Sequence, residues 1–314
     1  MRLLTYAVLA ALLLPSAAAN AQRSFDVDIL RDTFGFDEST KRSVDLSMLN
    51  QGCSARDCIP SIDNPKYVSA EEASHVADDA IVITLSYKDE HRAYPARILD
   101  HHEIVNDTIA GDPIAITWCP LCGSAVGIHR EVGGEITEFG VSGILYNSDL
   151  VLYDRATETL WDQIEARGIV GPLSGVQLKL FPVSIAKWAR WRTAHSDTLI
   201  LSSDTGFDYD YTQDHYAKYR SSNSLMFPVR NTDERVAAKT VVFGFDLDSG
   251  AVAYPESLLS EHGTYRHDLD GVATAVTLHD DGSVTMQRSG QLHSPIRLFW
   301  FAWFTFHPET ELIR

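Results

Sequence analysis

The strongest constraint on how this chain can fold is its similarity to itself. Ile81–Trp118 lies over Val241–Leu278 at a constant offset of 160 without a gap. Nine pairs are identical, among them Ala93-Tyr94-Pro95 over Ala253-Tyr254-Pro255, His102 over His262, Gly111 over Gly271 and Thr117 over Thr277. A shared tripeptide in register with a distant Gly and Thr argues for one structural unit used twice. Each copy opens on a β-branched or aromatic run, meets a polar turn (Lys88-Asp89-Glu90 or Asp248-Ser249-Gly250) and returns as a short strand. Tyr-Pro then opens about one helical turn, because Pro at the first helical position forfeits no hydrogen bond. The expectation is a strand-dominated α+β fold with few short helices. Two related β-rich halves, at about 81–141 and 241–290, are joined by a strand and helix middle section.

The rest of the chain reads less clearly. A helix is expected from Ser184, with Trp188 and Trp191 on its buried face. Phe299–Phe306 reads as a buried central strand, and 204–235 as a polar loop region. The acidic-aromatic stretch Asp204, Phe207, Asp208, Tyr209, Asp210, Tyr211, Asp214 could line a sugar or calcium site. It lacks calcium-loop spacing and reads as a solvated loop.

Residues 1–21 read as a secretory signal peptide. Arg2 precedes an uncharged, mostly apolar run, Leu3–Leu14, and Ala19-Asn20-Ala21 offers a small-x-small cleavage pattern. The run is shorter than the roughly 20 residues a membrane-spanning helix needs. The mature chain is therefore expected to be periplasmic or secreted without a membrane span. It would comprise an N-terminal segment, 22–58, and one large domain, 59–314. A formal charge of −17 repels phosphate backbones, so no nucleic-acid partner is expected.

The four cysteines form two close pairs. Cys53 and Cys58, in a polar loop of an exported chain, read as a disulfide. Cys119-Pro120-Leu121-Cys122 has no helical sequence after it; Gly123 and Gly127 instead suggest a strand. A metal knuckle is the leading reading, with His129, His101 and His102 as further ligands to zinc or copper. Asp149 and Asp154 would support it. In the second half the knuckle aligns with His279-Asp280-Asp281-Gly282, an ordinary turn, so it is an addition to a repeated frame. Two alternatives stay open: a thiol–disulfide oxidoreductase using Cys119 and Cys122 as its catalytic pair, and a non-catalytic scaffold or binding module stabilised by disulfides.

Thr117-Trp118-Cys119-Pro120-Leu121-Cys122-Gly123-Ser124-Ala125 resembles the signature of the bacterial family known as domain of unknown function 3179. Leu160-Trp161-Asp162-Gln163 and Phe299-Trp300-Phe301-Ala302-Trp303 fit the same resemblance, over roughly residues 59–314. That family implies no particular activity.

Overall fold

The computed structural model describes residues 28–314; the signal-peptide reading lies outside the described residues. Strand makes up 40% and helix 13%, and five sheets of four or five strands stand in a propeller-like arrangement.

The first sheet runs Ser184–Lys187, Ile81–Tyr87, Glu90–Pro95, Leu199–Leu201, Tyr67–Ser69. The second runs Leu180–Phe181, Ser124–His129, Asp112–Cys119, Ile104–Ile109. Beyond residue 240 the same orders recur. Ile296–Phe299, Val241–Leu247, Gly250–Pro255 and Glu311–Leu312 form one sheet, and Thr264–Leu269, Val272–Leu278, Val284–Arg288 and Gln291–His293 another. Registers match as well: Ile83 pairs with Tyr94 and Phe243 with Tyr254, while Ala93 and Ala253 each take a parallel partner, Ile200 and Leu312. Both Tyr-Pro steps lead into short helices, Ala96–Leu99 and Glu256–His262.

A second correspondence, at an offset of 112, stands out once the fold is known. Each half closes with a strand, a seven-residue helix and a short strand parallel to the Tyr-Pro strand, Leu199–Leu201 or Glu311–Leu312. Trp188, Trp191, His195 and Thr198 occupy the places of Trp300, Trp303, His307 and Thr310. Trp191 Nε1 donates to Thr198 Oγ1 at 2.9 Å, and Trp303 Nε1 to Thr310 Oγ1 at 2.8 Å. The helix expected from Ser184 thus begins four residues later, because Ser184–Lys187 is held as a strand against Ile81–Thr84. Phe299–Phe306 is likewise a helix, Trp300–Phe306, and not a strand. Packing decides this: Trp303 lies so close over Gly244 that a Cβ there would sit 2.3 Å from its ring. A helix apolar on most sides is stable when buried on most sides.

The two offsets differ by 48 residues, the length by which the first half is longer between its second sheet and closing strand. That extra chain builds most of the remaining sheet, in the order Leu49–Gln51, Phe139–Tyr146, Asp149–Asp154, Leu160–Asp162, Arg167–Val170. Ile29, Leu30, Phe34 and Phe36 of the N-terminal segment pack into its core. Among the described residues no helix is long and apolar enough to cross a membrane.

Candidate metal centre

Strand Asp112–Cys119 ends on the first cysteine and strand Ser124–His129 begins just after the second; Cys119 pairs with Ser124. The bend between them is pinned from three directions. Gly123 N donates to Cys119 O at 2.8 Å, Tyr219 Oη to Leu121 O at 3.0 Å and Phe299 N to Cys122 O at 2.8 Å. Gly123 has φ of +61°, and a Cβ there would meet the Phe299 ring at 3.0 Å. Only glycine satisfies both the backbone and that close approach.

The extra sheet brings the third group. Asn147 and Ser148, both at positive φ, turn Phe139–Tyr146 back into Asp149–Asp154. This is the two-residue hairpin geometry that matches strand twist. Its tip covers the bend: the Cys122 thiol donates to Ser148 O at 3.4 Å. The sulfurs of Cys119 and Cys122 and a carboxylate oxygen of Asp149 lie within 4.8 Å of one another, and all three residues are buried. Asp149 Oδ2 accepts from Ile164 N at 3.1 Å, whereas Oδ1 is buried without a partner. Ser148 Oγ and Asp162 Oδ2 are also buried and unpartnered.

The electrostatics follow from this enclosure. Burial pushes the Asp149 carboxyl well above the usual range, and the Cys119 sulfur adds to the effect. Burial first, then Cys119, raises the Cys122 thiol. Glu103 is driven to about 8 by burial and by the charges of Asp149 and Asp100. No basic side chain stands among the causes of these three shifts. Without a cation the pocket therefore favours protons on its acids.

The histidines offered as ligands lie elsewhere. His129 is five residues along its strand from Ser124, roughly 17 Å at about 3.4 Å per residue, and packs on the Phe181 ring. His102 has both ring nitrogens engaged, Nδ1 with Pro60 O at 2.7 Å and Nε2 with Tyr211 Oη at 2.6 Å. His101 packs among the rings of Tyr209, Tyr211 and His215. Asp154, at the far end of its strand from Asp149, accepts from Thr157 N, Thr157 Oγ1 and Trp161 Nε1 and is satisfied locally. Cys53 and Cys58 form a disulfide. Cys119 and Cys122 are free thiols.

Glu103, Ser148 and Asp162 were not singled out from the sequence. For Glu103 a signal existed. It stands 160 residues before Gly263, which caps the helix Glu256–His262 at φ of +65°. Glu103 adopts φ of +56° at the equivalent helix end, and both N–H groups bond a leucine carbonyl at 2.8 Å. A glutamate kept where the other half uses glycine carries backbone strain that its helix does not require.

The fold and site define a strand-rich, propeller-like protein with a buried dithiol–carboxylate cluster on an asymmetric hairpin. The family model described as Protein of unknown function (DUF3179) matches residues 56–295, and the chain belongs to that family. No curated protein and no solved structure matches it.

Proposed function

We propose that the chain is an exported metal-binding protein whose ion is held by Cys119, Cys122 and Asp149. The observation that carries this reading is the buried Asp149 Oδ1, unpartnered beside two buried free thiols. An unsatisfied buried carboxylate oxygen costs stability unless something pairs with it. Donors on a tetrahedral ion lie about 3.5–3.8 Å apart, so the trio needs little closure to share one. Two sulfurs and one oxygen suit zinc, which accepts both; a third hard donor makes copper(I) a poorer match. Ser148 Oγ and Asp162 Oδ2 are candidates for the fourth position.

We further infer that the two halves descend from one unit and that the metal hairpin was added to the first. The oxidoreductase reading is less well supported, because Cys119 ends a strand, lacks the helix N-terminus that activates a thiol, and neighbours a raised Cys122. Elemental analysis of protein purified without chelator tests the proposal. About one zinc per chain is expected, falling to background in Cys122→Ser and Asp149→Asn. Metal-free wild type with an oxidisable Cys119–Cys122 pair would overturn it in favour of the thiol reading.

A further inference from the structure

A cleft of about 950 Å³ is lined by residues of both halves, among them Pro120 and Gly123 of the cysteine bend. One wall is the segment Phe207–Thr212, which reads from sequence as a solvated loop. Phe207 and Tyr209 are each 42% exposed, and they are the two exposed large aromatic side chains among the described residues. Their rings are nearly parallel, with planes 12° apart and centroids at 6.0 Å, and together they give the cleft wall an aromatic platform.

This platform is held in place. The Tyr211 hydroxyl joins His102 Nε2 and Thr205 Oγ1, each at 2.6 Å. His102 packs under Phe207 at 5.1 Å and Tyr209 at 5.5 Å, and His101 stacks on Tyr209 at 5.3 Å. The two adjacent histidines thus serve as the loop's support. Building an exposed pair of rings on a buried, fully bonded imidazole is costly for a segment whose only role is solvation.

The cleft lining carries both signs of charge, Asp79, Asp100, Asp208 and Asp210 with Arg97, Arg220 and Arg297. Arg97 and Arg220 line the cleft, and both pair with Asp214 behind it. Arg297 pairs with Glu256 at 3.0 Å. Asp208 and Asp210 supply acceptors beside the rings. Arg97 lines this wall, and its Nη1 is buried without a partner. Arginines already paired with carboxylates have a weakened grip on a free anion. They still offer fixed donors next to fixed acceptors.

We propose that this cleft binds a pyranose-based oligosaccharide, whose axial C–H face stacks on Phe207 and Tyr209 while hydroxyls meet Arg97 and the Asp210 carboxylate. The weakly positive C–H face complements the negative π-face of the rings. A mostly apolar platform with a few convergent polar groups is the form such sites take. The proposal does not depend on the metal.

Titration of the full mature chain with maltotetraose, cellotetraose and chitotetraose, read by calorimetry and saturation-transfer NMR, tests it. At least one sugar is expected to bind saturably with strongest transfer to its axial protons. Phe207→Ala and Tyr209→Ala should each weaken binding tenfold or more with the unfolding midpoint unchanged. Cys122→Ser should retain the sugar even where it loses metal, so failure of either reading is told apart from failure of the other. No saturable binding by wild type to any of the three, or binding indifferent to both substitutions, overturns the proposal. Saturable binding of inorganic phosphate or choline in place of sugar does so as well.

Discussion

At the scale of single residues, the site is defined by what is left unsatisfied. Asp149 and Glu103 are acids that the fold keeps protonated, so each favours the folded state at low pH and disfavours it as pH rises. For Glu103, stability is full below the unfolded value near 4.5 and is lost progressively up to about 8. At neutral pH without metal this amounts to roughly 3 kcal/mol, from 1.36 kcal/mol per pH unit. Glu103→Gln is therefore expected to raise the unfolding midpoint at pH 7.5 and leave it nearly unchanged at pH 4.5, as followed by circular dichroism. The same midpoint at both pH values would show that the carboxyl is not held protonated. His102 works in the opposite sense. Burial lowers its imidazole and Pro60 O fixes Nδ1 as the donor, so the neutral ring is the one that fits. It contributes stability above its unfolded value, near 6.5, which is lost as pH falls below that point. Sequence offered Asp149 and Asp154 together as supporting carboxylates for Cys119 and Cys122; only the fold separates them, bringing Asp149 beside the sulfurs across thirty residues and a hairpin. The histidines were misjudged for a related reason. Proximity in sequence to a cysteine says nothing about which end of a strand, or which face of a helix end, a ring occupies.

At the scale of elements, close approach between backbone and aromatic rings decides which segments take which form. Gly244 admits Trp303 and Gly123 admits Phe299, so an alanine at either position must displace a packed ring. Gly244→Ala is expected to cost about 3 kcal/mol or more through overpacking in the core, measurable by urea unfolding. Gly123→Ala should in addition reduce bound metal, because Phe299 N pins Cys122 O and the bend carries both sulfurs. Unaltered zinc content in folded Gly123→Ala would separate the bend's packing from its chemistry. The Tyr-Pro helices and the paired strands were legible because period and turn residues report local backbone preference. Helix Trp300–Phe306 was not, since an aromatic run carries no period of its own and takes its form from the sheet that covers it. The Trp-x-x-Trp recurrence at an offset of 112 was present in the sequence, yet a search at the single offset of 160 passes over it.

At the scale of the whole molecule, the metal would join parts that lie in separate sheets. Cys119 and Cys122 belong to the second sheet, Asp149 to the extra sheet, and Phe299 to the second half, which closes over the bend. Chelation is therefore expected to destabilise the molecule as a unit. A ligand at a thousandfold its Kd contributes about 4 kcal/mol, so the unfolding midpoint should fall on metal removal and recover on adding zinc. Affinity should also rise at least tenfold per pH unit near neutrality, because binding displaces protons from Asp149 and the Cys122 thiol. A midpoint unmoved by chelator would mean that no such ion contributes to the fold.

Strand-rich architecture, the correspondence at 160, the Cys53–Cys58 disulfide and the family of the chain all follow from the order of residues. Each is written in local periodicity, turn chemistry or a contiguous motif. Which of Asp149 and Asp154 meets the dithiol, the place of His101 and His102 beneath an aromatic platform, and the helical form of the last aromatic run emerged only in three dimensions. They depend on long-range packing and burial, which set the cost of an unpaired charge or a displaced ring and leave no mark on neighbouring positions in the chain.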